Sequence, residues 1–400
     1  MEPEPTMNSG KKNAWTNWEN QKANSFIYQV QSGKKGLNFG LDNGLQRINR
    51  YLYGTQQGRY YLIGADSSVG KTTLADFMYI LSSWSSAKKR GIPIKIFYCS
   101  LEVSKTDKIA RWVSYYIFLT TGKCMPSEFI LGRIEGNTIS DDDLILIMDA
   151  YEKVNAMMED IIIMDSGTTP TAIYESIIEH HYEKEGTVER RKPSVSDAKR
   201  GYKGDVIGYT PKDPKAFTIL AIDHLGLLDT EDGLDLKGTM DRMSKNGIKL
   251  KNIFKTTCIF IQQFSTDLLH MKREKMMSMK ATKKASVIIP TRLDFGDSKT
   301  TYRDAEIVIG LVKPFLFELE EFWGLNTSKV SSGGLGEYMI AQCLMKNRYG
   351  TANRIMPLFI NPIAGTSYDL PNSLDQSEME PWYDRAKELD NIVQLYTPKI

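Results

Sequence analysis

The fold of this chain is decided by the stretch Ala65-Asp66-Ser67-Ser68-Val69-Gly70-Lys71-Thr72-Thr73. The residues before it, 59–64, are aromatic and β-branched like a buried strand, and those after it, 73–81, place apolar side chains at helical spacing. A glycine-containing loop between a strand and a helix presents backbone N–H groups to a triphosphate. In such a loop Lys71 reaches the β- and γ-phosphates, and Thr72 supplies a hydroxyl to Mg²⁺. The sequence therefore predicts a nucleoside triphosphate site over residues 65–73.

The loop departs from the strict Gly-x-x-x-x-Gly-Lys-[Ser/Thr] pattern at its first position. Ala65 stands there, and a glycine comes one residue too early, at Gly64. The pattern is met in its alanine-tolerant form. The alternative, a Gly-Lys-Thr turn that binds nothing, is disfavoured by the flanking strand and helix.

Composition and charge are those of an ordinary globular protein. The 400 residues are 41% hydrophobic and 25% charged, with a net charge of +2, so the charge balance neither favours nor excludes nucleic acid. We expect a cytoplasmic protein without a membrane partner, because no apolar run approaches the ~20 residues that cross a bilayer and no secretory signal is seen. Widely spaced cysteines are predicted to be buried thiols: Cys99, Cys124, Cys258 and Cys343.

Three regions are expected along the chain. Residues 1–35 are predicted to be disordered, with a possible linker helix over 15–33, and residues 371–400 to form a tail. Between them, over 36–370, strand and helix patterns alternate, which predicts an α/β domain with a mainly parallel central sheet. Strands are predicted at 60–64, 94–99, 161–165, 217–222, 258–262 and 307–312, and a C-terminal β-hairpin at 337–346 and 354–360. Residues 184–215 are polar, basic and aperiodic, which indicates a surface insertion.

Acidic residues follow two of the predicted strands. Asp223 ends an apolar strand, where a triphosphate site needs a Mg²⁺ ligand. Glu102 ends another, and because the carboxyl ends of neighbouring parallel strands share one crevice, it can lie opposite the γ-phosphate and activate the attacking water. The alternative for Glu102 is an acid that stabilises the first turn of the next helix. His224 either packs against the core or lies near the nucleotide.

Two adjacent glutamines end the strand predicted at 258–262. A strand-end glutamine can hydrogen-bond both a phosphate oxygen and a mobile loop, which makes it a candidate sensor of the nucleotide state. The sequence leaves the choice between Gln262 and Gln263 open, and we favour Gln263.

The most basic stretch of the chain, 271–299, follows this strand. It is predicted to hang from the catalytic face, where it contacts a polyanion or is simply solvated. Few aromatic residues accompany the cations, which favours contacts to phosphates over contacts to bases. The candidate DNA-binding residues are Lys283, Lys284, Arg292 and Lys299.

Lys346 and Arg348 are predicted at the tip of the late hairpin. Cations on a projecting turn, far in sequence from the phosphate loop, suit insertion into the active site of a neighbouring subunit. The alternative is a pair of exposed charges on a turn.

The order of these motifs resembles the ATPase core of DnaB-like hexameric replicative helicases, with Asp223-His224 closest to the phage branch. The resemblance covers residues 36–370 and implies a RecA-like P-loop NTPase core. Its most specific pieces are Ser100-Leu101-Glu102 and Lys346-Asn347-Arg348-Tyr349-Gly350.

The resemblance implies an ATP-dependent DNA helicase, or one that uses another NTP. Members of the family form ring-shaped hexamers that move 5′→3′ along single-stranded DNA and unwind duplex DNA, and a separate primase or helicase loader is a possible partner. The implied roles are Lys71 and Thr72 on phosphate and Mg²⁺, Asp223 on Mg²⁺, Glu102 as catalytic base, Gln263 as γ-phosphate sensor, and Lys346 and Arg348 as fingers that reach the adjacent subunit.

One motif departs from the family. Its DNA-contacting loop usually reads Asp-Leu-Arg-x-Ser-Gly, and the best match here is Asp294-Phe295-Gly296-Asp297-Ser298-Lys299. Arg292 or Lys299 could compensate for the missing arginine. Two alternatives stay open: a RecA-type recombinase, and a DNA-independent regulatory P-loop ATPase.

Overall fold

The computed structural model describes residues 39–166, 169–199, 203–265, 271–272, 274–276, 281–296, 298–371 and 376–397, together with Val30, Gly33 and Lys34. The chain divides into two compact units, residues 1–40 and 41–400. In the first unit, Val30, Gly33 and Lys34 are helical. The disorder expected for the first residues and most of the linker helix expected over 15–33 lie outside the described residues.

The second unit alternates strands and helices. The strands are β1 (Tyr60–Ala65), β2 (Ile94–Ser100), β3 (Ile161–Met164), β4 (Gly186–Arg190), β5 (Val206–Pro211), β6 (Phe217–Asp223), β7 (Thr257–Gln263), β8 (Ile307–Val312), β9 (Glu321–Phe322), β10 (Leu325–Asn326), β11 (Met339–Asn347), β12 (Arg354–Asn361) and β13 (Thr366–Asp369). The α-helices are α1 (Gln46–Leu52), α2 (Lys71–Ala75), α3 (Ser83–Lys89), α4 (Lys105–Thr121), α5 (Ser127–Ile130), α6 (Asp141–Met157), α7 (Pro170–Ile177), α8 (Glu183–Glu185), α9 (Val195–Lys199), α10 (Leu236–Phe254), α11 (Ala281–Ile288), α12 (Lys299–Asp304) and α13 (Gln376–Tyr396). Segments of π-helix follow α2 and α7, at Asp76–Ser82 and Ile178–Tyr182.

A nine-stranded sheet has the order β13-β12-β11-β8-β1-β7-β6-β2-β3. The six strands from β8 to β3 in this order are parallel, and β11, β12 and β13 are antiparallel additions. Each strand predicted for the parallel part is present, with its ends moved by no more than one residue. The α/β fold with a mainly parallel sheet and a late hairpin is confirmed.

The sheet is buried on both faces. All six residues of β1 are buried. Tyr61, Ile63 and Ala65 face one apolar cluster, whereas Tyr60 and Leu62 face another. This is why the strand reads as a continuous apolar run and not as an alternating one.

The two edges of the parallel sheet carry different residues. The carboxyl ends of β1, β7, β6 and β2 meet at one edge, called the carboxyl edge below. Strand β11 runs the other way, and Asn347 pairs with Ile307, the first residue of β8. The turn between β11 and β12 therefore lies at the opposite, amino edge. Because β1 is six residues long, the two edges are about 17–20 Å apart.

The segment 184–215 differs from the expected aperiodic insertion. Its strands β4 and β5 form an antiparallel hairpin. The ring of Tyr209 lies 5.1 Å from that of Tyr182 and 5.0 Å from that of Phe254, so the hairpin is packed against the body of the domain. Most of its other strand side chains are exposed or half-buried, which is why no apolar pattern predicted it.

The region predicted as a tail contains a helix. Residues 376–396 form α13, whose Met379, Ala386 and Leu389 are buried in a third apolar cluster, together with Phe359 of β12. All four cysteines are buried free thiols, as predicted. Among the described residues, no helix combines the length and the apolar character needed to span a membrane.

Gly64 is explained by packing and not by phosphate binding. A Cβ atom at Gly64 would lie 2.3 Å from a ring carbon of Phe264 and 2.4 Å from one of Phe295. Both rings are buried and make an edge contact at 5.0 Å. The glycine therefore stands one residue before the phosphate loop because two aromatic rings fill the space beside β1.

Gly64→Ala is expected to lower the free energy of unfolding by about 1–3 kcal/mol, because the added methyl group overpacks this contact. Denaturant unfolding measures the change. The double variant Gly64→Ala/Phe264→Leu should recover part of the loss. An unchanged unfolding midpoint for the single variant would contradict the packing explanation.

Candidate nucleotide site

The phosphate loop has the backbone that its sequence predicts. It connects the last residue of β1, Ala65, to the first residue of α2, Lys71. Ser68 and Gly70 have φ angles of 61° and 97°, and positive φ values of this kind curl a loop so that it can form an anion-binding concavity. Val69 is buried in the apolar core and so attaches the loop to it. A Cβ atom at Gly70 would lie 2.9 Å from Ile360, a second reason for glycine there.

Lys71 and Glu102 face each other at the carboxyl edge. The lysine is 5% exposed, and its Nζ lies 3.9 Å from Oε2 of Glu102. The helix after Glu102 begins at Lys105 and is capped by Ser104, which accepts from the N–H of Asp107 at 3.2 Å. Glu102 therefore does not cap this helix, and its half-exposed carboxylate lies beside the lysine of the phosphate loop.

Asp223 presents a buried and unpartnered carboxylate. The residue is 1% exposed, and neither of its carboxylate oxygens has a hydrogen-bond partner among the described residues. Burying an unpaired carboxylate is costly unless a cation or another polar group compensates it. Hard oxygen ligands of this kind, together with the hydroxyl of Thr72, fit a Mg²⁺ ion.

The two glutamines point to opposite sides of β7, as consecutive strand residues do. Gln263 pairs in register with Ala65, and its Nε2 donates to Oγ of Ser67 in the phosphate loop at 2.7 Å. Gln262 is buried and accepts from Oγ1 of Thr301 on α12 at 2.6 Å. The geometry therefore brings Gln263, the residue favoured from the sequence, to the phosphate loop.

His224 belongs to the same group of residues. Its Nδ1 accepts from the N–H of Gly226 at 3.2 Å, which leaves the ring proton on Nε2. Burial lowers the pKa of His224, and the nearby Lys71 lowers it further. The side chain is therefore a neutral, half-buried imidazole close to the lysine.

The cations of the hairpin lie at the amino edge. Arg348 is exposed in the turn, and its Nη2 donates to the carbonyl of Arg303 at 2.9 Å. Lys346 lies within β11, before the turn, and so is not at the tip as expected. Neither side chain is on the edge that carries the phosphate loop of its own chain.

Lys346 is engaged at the carboxyl end of α12. Its Nζ donates to the carbonyls of Tyr302, Arg303 and Ala305 at 2.9, 2.9 and 2.6 Å. Burial, reinforced by the charge of Arg348, lowers the pKa of Lys346 to about 8. In this conformation the lysine caps a helix, and Arg348 is the exposed cation of the pair.

An ionic cluster that the sequence did not indicate holds the hairpin turn. Glu306 accepts from Lys251 at 2.7 Å and from the hydroxyl of Tyr349. The guanidinium carbon of Arg59 lies 3.2 Å from the centre of the Tyr349 ring. Hydrogen bonding to Lys251 and Tyr349 outweighs burial and lowers the pKa of the Glu306 carboxyl. Only spatial proximity unites these residues, so no sequence pattern could have found them.

The altered loop keeps some of its predicted cations on the surface. Arg292 and Lys299 are exposed, and Lys284 is half-buried. The side chain of Lys283 and all of Asp297 lie outside the described residues. Asp294 is buried, accepting from the N–H of Thr291 at 2.5 Å and pairing with Lys272 at 2.7 Å.

Comparisons with known proteins place the fold. No family model matches the sequence, and no curated protein matches it significantly. Among solved structures, the chain is similar to the ATPase domain of G40P, with a TM-score of 0.58 and 16% identity over 88% of this chain and 99% of that one. It is equally similar to a DnaB-like replicative helicase studied with its primase interactions, with a TM-score of 0.58 and 17% identity over 88% of this chain and 66% of that one. The chain therefore has the RecA-like fold of these ATPase domains.

Proposed function

We propose that this chain is an ATP-dependent replicative DNA helicase that works as a hexameric ring. The observation that carries the proposal is the distribution of residues between the two edges of the sheet. Lys71, Glu102, Asp223 and Gln263 meet at the carboxyl edge, whereas Arg348 lies at the amino edge. A site that needs all five is complete only where the amino edge of one subunit meets the carboxyl edge of the next.

The residues of the carboxyl edge suit in-line attack of water on a γ-phosphate. The carboxylate of Glu102 orients the water and accepts its proton, and the ammonium of Lys71 stabilises the charge that develops on the phosphoryl oxygens. Thr72 and Asp223 would hold Mg²⁺, which when bound neutralises charge on the β- and γ-phosphate oxygens. Gln263, bonded to the phosphate loop, would sense whether the γ-phosphate is present.

An exposed apolar surface supports assembly with a second copy. Helix α6 exposes four large side chains on its outer face, at 41–58% relative exposure: Leu144, Ile145, Met148 and Tyr151. A row of apolar residues on an outer helix is typical of a protein–protein contact.

The DNA partner is proposed from the exposed cations. Arg292 and Lys299 lie close in sequence to Asp294. The carbonyl of Asp294 accepts from the N–H of Ser265, two residues after Gln263, at 2.9 Å. DNA bound by these cations would therefore be close to the end of the strand that carries the sensor. Contacts of this kind act through phosphates and are therefore independent of sequence and sensitive to salt. Movement in the 5′→3′ direction and recruitment of a primase or loader rest on the family resemblance and form part of the proposal.

A DNA-independent regulatory ATPase is the second candidate, favoured by one observation. In the altered loop, residues 294–299, three of the six residues are buried: Asp294, Phe295 and Ser298. Half of the motif thus serves packing, and DNA contact depends on the cations beside it.

An unwinding assay tests the proposal directly. Duplex DNA substrates with only a 5′ single-stranded tail or only a 3′ single-stranded tail are incubated with ATP and Mg²⁺, and strand separation is followed by fluorescence. We expect unwinding of the substrate with the 5′ tail and not of the substrate with the 3′ tail, because a motor that moves 5′→3′ loads on the 5′ tail. Nucleotide turnover without unwinding of either substrate would favour the regulatory ATPase.

Glu102→Gln is expected to lower the turnover number by about 10²–10⁴-fold, because the amide cannot accept the proton of the attacking water. Binding of a fluorescent ATP analogue should be retained, since the side chain is not needed to hold the phosphates. Glu128→Gln, at a surface carboxylate of α5, is the matched control. Full activity of Glu102→Gln would assign the base to another residue.

A further inference from the structure

A buried ion pair lies beside the nucleotide site and is not part of it. Asp76 begins the π-helical segment that continues α2, and Lys108 lies on α4. Lys108 Nζ is 3.1 Å from Asp76 Oδ2, and the two side chains are 0% and 8% exposed. A lysine without any contact with solvent is rare in proteins unless it is paired.

Two aromatic residues complete the network. The hydroxyl of Tyr98 on β2 donates to Oδ1 of Asp76 at 2.5 Å and accepts from Lys108 at 2.8 Å. The indole N–H of Trp112 donates to Oδ2 of Asp76 at 3.3 Å. The carboxylate is therefore bound by three side chains from two other elements.

Stability alone does not account for such a network. The free energy needed to remove two charges from water offsets most of their mutual attraction. A protein in which apolar residues of similar volume replace such a pair is often equally stable. What the network adds is a fixed geometry, since Asp76 can satisfy its hydrogen bonds only if three elements keep their separation.

The network lies where a fixed geometry affects the position of Glu102. Tyr98, on β2, precedes Glu102, and Lys108, on α4, follows it, so the loop that holds Glu102 is bracketed on both sides. Asp76 continues the helix that begins at Lys71. The network thus ties both ends of the Glu102 loop to the helix of the phosphate loop.

We propose that Asp76 and Lys108, bridged by Tyr98, are positioning residues that set the distance between Glu102 and the γ-phosphate held by Lys71. The inference rests on the proposed NTPase function. Glu102 itself is half-exposed, and its described ionic partner is Lys71 at 3.9 Å. Its placement therefore depends on the elements around it, and an error of about 1 Å can cost roughly 100-fold in rate.

The test is the double variant Asp76→Asn/Lys108→Met, which removes both charges and keeps the side-chain volumes. We expect the turnover number to fall by about 10–100-fold, with KM and the Kd for a fluorescent ATP analogue changed less than threefold. The melting temperature should stay close to that of the wild type, because neither charge is left unpaired. A purely structural role would instead lower the melting temperature and leave the turnover number at permissive temperature unchanged.

A matched control removes an ion pair nearer the surface, in which the lysine side chain is 45% exposed and the aspartate side chain 17%. Lys123→Met/Asp143→Asn breaks a surface contact of 2.5 Å far from Glu102 and should leave every parameter unchanged. Tyr98→Phe keeps both charges and removes the bridging hydroxyl, and should lower the turnover number with KM unchanged. If the double variant does not fold, the turnover number of Tyr98→Phe shows whether the network positions Glu102.

The outcomes separate the two proposals. A wild-type protein that hydrolyses no nucleotide overturns the proposed function and this inference with it. An active wild type with normal turnover numbers in both the double variant and Tyr98→Phe overturns the inference alone. A fall in turnover number at constant KM and Kd supports it.

Discussion

Arg348→Ala is expected to lower nucleotide turnover by about 10³–10⁵-fold, the effect of removing an arginine finger supplied by a neighbouring subunit. Nucleotide binding should be unchanged, because Arg348 lies at the amino edge of the sheet, away from the phosphate loop of its own chain. Steady-state hydrolysis and binding of a fluorescent ATP analogue, measured on the same preparation, give both quantities. Arg354→Ala removes an exposed cation of the same hairpin and should have little effect.

Mixing experiments show whether the arginine acts between subunits. Arg348→Ala subunits keep an intact phosphate loop, and Lys71→Ala subunits keep an intact arginine. If the two variants are inactive alone and regain activity when assembled together, the complete site is formed by two chains. Wild-type turnover by Arg348→Ala would contradict the role proposed for this residue.

Lys71→Ala is expected to abolish nucleotide turnover and to weaken nucleotide binding. The lysine is nearly buried beneath the phosphate loop, and its charge is required both to hold the phosphates and to stabilise the charge that develops on them. Radioactive or malachite-green phosphate release measures the loss. Lys89→Ala, at an exposed lysine in the last turn of α3, is the matched control. Measurable turnover by Lys71→Ala would place the nucleotide elsewhere.

The parallel part of the sheet was predictable because its strands are apolar and, apart from the edge strand β3, buried on both faces. A run such as Phe217–Asp223 is fully buried, so its apolar character is continuous and its ends are sharp. The hairpin β4–β5 was not predictable for the opposite reason. Its side chains lie half in solvent, and its attachment depends on Tyr209 meeting rings from distant parts of the chain.

The residues of the candidate site also differ in how far the sequence could predict their positions. Residues at strand ends, such as Asp223, could be placed at the carboxyl edge from the sequence because a parallel sheet brings those ends together. The choice between Gln262 and Gln263 needed the register of β7 against β1, which fixes the side of the sheet that each one faces. The engagement of Lys346 by α12 depends on a contact between distant segments and left no sequence signal.

The buried pair Asp76–Lys108 could be predicted from the sequence only in part. Each charge stands among residues that a helical pattern assigns to the core: Asp76 lies between Ala75 and Phe77, and Lys108 shares a helix face with Trp112. Opposite charges on two apolar faces indicate a buried pair, but only the packing of the two helices shows that they meet.

The measurement that tests the central claim most directly is the ATPase rate with and without single-stranded oligo(dT), at two salt concentrations. A helicase that grips DNA through phosphates should be stimulated several-fold by DNA, and the stimulation should weaken as salt rises because counterion release drives the binding. Robust turnover that is indifferent to DNA at both salt concentrations would contradict the claim and make the regulatory ATPase the better account.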